Sequence, residues 1–104
     1  MSDTAPVFKI VLMGELDMAR AGELDGLLAQ YGASQATHVE VDLAQVTFID
    51  STGLGFLVGL RRLAEPRGGT VTLVGPSRTC QRLLDLVAVP TLFEIRAGTP
   101  APAG

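Results

Sequence analysis

Residues 50 to 53, Asp-Ser-Thr-Gly, set two hydroxyls side by side between a carboxylate and a glycine. A serine or threonine so placed can cap a helix, act as a nucleophile or accept a phosphoryl group. Nucleophilic catalysis needs a base within reach. The only histidine, His38, starts a predicted strand and falls at the end of a parallel sheet opposite Ser51. One histidine and one cysteine, Cys80, are too few to build a zinc site, and no cofactor is expected. Gly53, Gly55 and Gly59 lack the spacing of a dinucleotide loop, and no lysine comes after them to make a phosphate loop. Their expected use is to let a helix approach the sheet closely. No enzyme is expected from these residues.

From Gly53 to Glu65 the pattern is helical, with Asp50, Ser51 and Thr52 as its start. Phe56, Leu57, Leu60 and Ala64 suit a core-facing stripe, while Leu54 and Val58 fall on a neighbouring face that runs on to Arg61, Arg62 and Glu65. So wide an apolar girth beside hydroxyls points to contact with another protein. Cys80 lies on the core face of its own helix and is expected to act as a small buried hydrophobe.

The elements that must position this run are legible from periodicity. Val7 to Met13 reads as a strand ended by Gly14, and Asp17 can cap the helix after it. Leu24, Leu27, Leu28 and Tyr31 mark one face of that helix, from Ala19 to Tyr31, with Gly32 as its stop. His38 to Leu43 alternates as a half-buried strand, a turn is expected at Ala44 and Gln45, and Val46 to Ile49 is a second short apolar run. Thr70 to Val74 is a third strand. Pro76 and Ser77 open a last helix carrying Cys80, Leu83, Leu84 and Val87, closed by Pro90, and Leu92 to Ile95 suits a short final strand. The alternation implies a single α/β domain with a mostly parallel or mixed central sheet of about four strands flanked by helices. Residues 1–6 are then an N-terminal extension, 7–96 the domain and 97–104 a disordered tail. The loops Gly14 to Met18, Asp50 to Gly53 and Gly75 to Ser77 are expected along one edge.

Composition narrows the partners. The chain has 104 residues, 47% hydrophobic and 18% charged, with a formal charge of −3. Its longest apolar stretch, Gly53 to Leu60, is far short of the roughly 20 residues that span a bilayer, and the first residues do not resemble a signal peptide. A cytoplasmic protein with no membrane insertion is expected. An acidic balance gives no general attraction to nucleic acid. The charge is uneven: eight acids face two bases in residues 1–50, whereas six arginines face three acids thereafter. Glu15 and Asp17 are expected near Ser51, either capping or attracting a basic patch on a partner.

Gly14, Glu15, Leu16 and Asp17, then Val41, Asp42 and Leu43, then the run Val46, Thr47, Phe48, Ile49, Asp50, Ser51, Thr52, Gly53, Leu54 and Gly55 together resemble the STAS domain, named for sulfate transporters and anti-sigma factor antagonists. The likeness covers about residues 7 to 95 and is greatest to bacterial stand-alone anti-sigma factor antagonists. It implies that Ser51 is phosphorylated by an anti-sigma factor that is itself a serine kinase, and that a phosphatase restores the unmodified form. Thr52 takes the next hydroxyl position, and Asp50, Thr52 and Gly53 support the loop. Glu15, Asp17, Leu54, Val58, Arg61 and Arg62 are the candidate partner contacts, and a homodimer stays open. The resemblance also admits an accessory subunit of a lipid-transporting ABC system or a component of a stress-signalling scaffold.

Overall fold

Alternation of apolar and polar residues builds the first strand, β1 (Val7–Leu16), in which Ile10, Leu12 and Leu16 are buried while Lys9, Val11 and Met13 are exposed. The computed structural model describes residues 6–86 and 93–98. After β1 come α1 (Ala21–Ala33), β2 (His38–Ile49), α2 (Ser51–Ala64), β3 (Val71–Val74), α3 (Arg78–Leu86) and β4 (Glu94–Arg96), with short 3-10 turns at Met18–Arg20 and Glu65–Arg67. The expected helix closure at Val87 to Pro90, the start of the last strand at Leu92, residues 1–5 and the end of the tail lie outside the described residues.

The four strands are parallel and stand in the order β1-β2-β3-β4. Parallel crossovers are almost always right-handed, so a sheet that advances in one direction collects its helices on one face. Burial agrees. Ile10, Leu12, Val39, Val41, Leu43, Val71 and Leu73 join Leu24, Tyr31, Phe56, Leu57, Leu60, Cys80 and Leu84 in one core. The alternate strand residues, among them Lys9, Val11, Glu40, Asp42, Thr72 and Val74, belong to a face that no described helix covers.

Two regions depart from the sequence expectation: the paired ends of β1 and β2, and the end of α1. The expected turn at Ala44 and Gln45 is an irregularity inside one continuous strand. Between Val11 and Met13 of β1, β2 advances from Asp42 to Gln45, and between Gly14 and Glu15 it advances from Val46 to Phe48. Each step inserts one extra β2 residue. The carboxylate of Asp42 holds the first by accepting from the Ala44 amide at 3.0 Å. These insertions change the burial period from two to three, so Leu43, Val46 and Ile49 all stay inside. β1 likewise runs past Gly14, whose φ of 77° suits glycine. Arg20 grips that stretch by donating to the carbonyls of Met13 and Glu15, and it pairs with Glu23 at 2.8 Å.

The second departure is the end of α1. Gly32 does not stop it; the helix runs to Ala33 and its last carbonyls are collected by Arg67. Nη1 of Arg67 donates to Ala36 O at 2.7 Å and, more distantly, to Tyr31 O and Ser34 O, while Nη2 donates to Gly32 O at 2.7 Å. The guanidinium also lies 4.8 Å from the Tyr31 ring centroid. A cation at a helix C-terminus meets both the orphan carbonyls and the helix dipole.

Arg67→Ala is expected to destabilise the fold by about 2–4 kcal/mol, because several half-buried carbonyls lose a charged donor. Arg67→Lys, lacking the planar fork, should recover only part of this. Urea unfolding midpoints measure both. Stability should also fall in alkali. Burial pushes the phenol of Tyr31 and the thiol of Cys80 up, so the unfolded chain loses these protons first. The stabilisation is present below the ordinary thiol value of about 8.5 and declines as pH rises through it and on past about 10. A Cys80→Ala variant should lose the earlier part of that decline in pH-dependent melting.

Candidate functional site

Ile49 ends β2, Asp50 turns the chain in extended conformation, and Ser51 is the first residue of α2. Asp50 makes the cap: its Oδ1 accepts from the Thr52 amide at 2.8 Å and its carbonyl accepts from the Leu54 amide at 3.0 Å. Its own amide donates to Leu16 O at 3.4 Å, tying the start of α2 to the end of β1. Because the carboxylate does the capping, the Ser51 hydroxyl is exposed and has no hydrogen-bond partner among the described residues. Thr52 is half-buried behind it.

Gly53 is buried for a steric reason. A Cβ there would stand 2.6 Å from Ile49 Cγ1 and 2.9 Å from Leu16 Cβ. This is the close approach expected of the glycines, but it applies to this one alone among the three. Gly59 faces Leu28 of α1, and Gly55 opens to free space.

The remaining expected site residues divide into two groups. Glu15 is exposed and registers opposite Phe48, so it lies at the serine end. Asp17 is half-buried there and caps the Met18–Arg20 turn through the Ala19 amide at 3.1 Å. Leu54 and Val58 are half-buried and pack on the core, leaving only part of each exposed. Arg61 and Arg62 lie about 15 Å further along the helix at 1.5 Å per residue. There Arg61 pairs with Glu65 at 3.2 Å, at the mouth of a cavity of about 390 Å3 that also meets Thr70 and Phe93. The arginines are therefore not part of the serine edge. The three loops all sit at C-terminal strand ends, but they are staggered. β3 ends opposite Asp42 while β2 continues to Ile49, and the Ser77 amide accordingly donates to Leu43 O at 3.2 Å.

Phe48 escaped the sequence reading. The switch to a spacing of three at Leu43, Val46 and Ile49 was the signal that could have found it, because it turns Phe48 outward. Its exposure is 44%.

The edge presents a hydroxyl to solvent. His38 is at the other end of β2, where its Nδ1 accepts from the Thr70 amide at 3.1 Å. Among the described residues no group of three or more His, Cys, Asp or Glu side chains could hold a metal ion.

The family model described as "Mlab, STAS domain" matches residues 3–94. The anti-sigma-B factor antagonist of Staphylococcus epidermidis is 30% identical over 92 residues, covering 88% of this chain and 85% of that protein. The solved structure of the anti-sigma factor antagonist SpoIIAA in its unphosphorylated form superposes with a TM-score of 0.76 at 22% identity, over 95% of this chain and 85% of that one. A sulfate transporter family protein from Wolinella succinogenes has a TM-score of 0.71 at 21% identity, over 90% and 80% of the two chains. At these identities the structural likeness speaks for the fold.

Substitution should separate the glycines. Gly53→Ala is expected to cost about 1–3 kcal/mol through overlap with Ile49 and Leu16, whereas Gly55→Ala should be neutral or stabilising by up to about 1 kcal/mol. Asp50→Ala should cost about 1 kcal/mol as a lost cap, with Asp50→Asn near wild type. Thermal and urea denaturation of the three positions test the set.

Proposed function

The chain belongs to the STAS domain family, and from that premise we propose that it is an anti-sigma factor antagonist that binds an anti-sigma factor serine kinase and is switched off by phosphorylation at Ser51. The observation that carries this reading is the exposed, uncapped hydroxyl of Ser51 at the start of α2, with Asp50 taking the capping role. The names of the curated relatives support the regulatory role. The reading makes the domain a non-catalytic switch in the cytoplasm; among the described residues no helix is long and apolar enough to cross a membrane.

The physical course of the switch is set by charge. A phosphate on Ser51 adds roughly two negative charges, and the N-terminus of α2 stabilises them by only about 0.3–1 kcal/mol. Asp50 already occupies the Thr52 amide and adds a further negative charge beside it. The fold survives, since nothing in the core changes. In a kinase cleft the outcome is different. After transfer the phosphoserine faces the nucleoside diphosphate, two anions enclosed together, and an unpaired buried charge costs several kcal/mol. About 3 kcal/mol lowers affinity more than a hundredfold, and the complex dissociates. A phosphatase then resets Ser51.

A second reading, an accessory subunit of a transport system, draws on the likeness to the Wolinella sulfate transporter family protein. It predicts co-purification with a membrane complex and no requirement for phosphate. The switch predicts otherwise. Incubation with the serine kinase encoded nearest to this chain and ATP should label Ser51 alone by mass spectrometry. Ser51→Ala should retain kinase binding and Ser51→Asp should weaken it about tenfold or more by calorimetry. Label elsewhere, or equal affinity of the two variants, would sink the proposal.

A further inference from the structure

Val11, Met13 and Phe48 are 62%, 55% and 44% exposed on the sheet face that no described helix covers. The register sets Val11 beside Asp42, Met13 beside Gln45 and Glu15 beside Phe48. Side chains directly opposite on paired strands are neighbours, so these residues form one strip across β1 and β2 that ends three positions before Ser51. Wholly parallel sheets are ordinarily covered on both faces. Aromatic residues and methionine are enriched at protein interfaces, and an exposed aromatic is a typical anchor. The strip has a sign at its serine end only, since at the other end Arg96, paired with Glu40 at 3.0 Å, and Lys9 line one concavity with Val11 and Asp42. Glu15 and Asp42 border it, with Asp17 and Asp50 at its serine end. Arg20, the cation at that end among the described residues, is engaged by Glu23 and by the carbonyls of Met13 and Glu15. Lys9 lies at the far end, opposite Glu40.

We propose that this strip, anchored by Phe48 and Met13, is the surface on which the anti-sigma factor serine kinase docks, by presenting an apolar pocket rimmed with lysine or arginine. The inference rests on the functional reading above and specifies its partner surface. It assigns the main contact to the open sheet face, since Leu54 and Val58 on α2 are already packed on the core. The geometry suits a kinase: docking along the strip brings Ser51, at its end, to the rim of the contact, where a hydroxyl can enter a nucleotide cleft. The basic rim meets Glu15, with Asp17 and Asp50 beyond it, which also speeds encounter at low salt.

The test is calorimetric titration of the full chain with the serine kinase encoded nearest to it, in the presence of ADP. Phe48→Ala should weaken binding about tenfold or more and Met13→Ala about threefold to tenfold. Glu15→Gln should lower the association rate and flatten its salt dependence. All three should melt within about 3 °C of wild type, since they are surface changes. If Phe48→Ala does not fold, Met13→Ala decides the matter. Wild-type affinity in both Phe48→Ala and Met13→Ala would overturn the docking surface and leave the functional reading standing. Absence of binding by both the unmodified chain and Ser51→Ala would overturn the two together. A concentration-dependent dimer in light scattering that Phe48→Ala dissociates would give the strip to a second copy of the chain, and would also overturn the proposal.

Discussion

At Gly53 the backbone of α2 lies so close to Ile49 and Leu16 that a single methyl group would overlap the Ile49 side chain. That contact lets the first turn of α2 pack directly on the ends of β1 and β2. Asp50 is extended, with its amide bonded to Leu16 O and its carboxylate accepting from the Thr52 amide. Ser51 is left at the first position of the helix, pointing to solvent. The hydroxyl is exposed because Asp50 takes the cap, while the close contact two residues on seats the helix against the sheet.

The two ends of the sheet are organised by different chemistry. At the serine end stand acids, a capped helix start and Arg20, which Glu23 engages; at the other end Arg67 gathers the carbonyls that close α1. Hydrogen bonds from a charged donor to carbonyls are among the stronger ones a fold makes. The Arg67 end is therefore built for stability, whereas the serine end holds its exposed hydroxyl with a cap worth about 1 kcal/mol. The separation keeps the exposed hydroxyl apart from the contacts that hold the core.

Much of this was legible in the amino-acid order. The four strands, the three helices, the core stripe of α2 and the role of Asp50, Ser51 and Thr52 as a helix start all derive from period and capping chemistry. The misread places share a cause. Ala44 and Gln45 look like a turn because alternation fails there, yet Asp42 bonds the Ala44 amide and the strand continues. Gly32 looks like a helix stop because nothing nearby in sequence reveals that Arg67, 35 residues later, will satisfy the carbonyls. The strand's continuation is set by its pairing with β1 and the helix end by Arg67, partners that local pattern does not contain. The exposed position of Phe48 was hidden for the same reason: its orientation depends on an irregularity against β1.

The sheet in which spatial order repeats sequence order has a consequence for how the chain folds. Each new strand docks on the one made just before it, and no later segment must be inserted between earlier ones. Assembly can therefore proceed outward from the long β1–β2 pair, one crossover at a time, with each helix sealing the same face as it arrives. The three-residue β4, paired among the described residues with β3 alone, is the last and least secured addition. Under native conditions its amides should be among the first to exchange with solvent, while those of β2, paired on both sides, should exchange last.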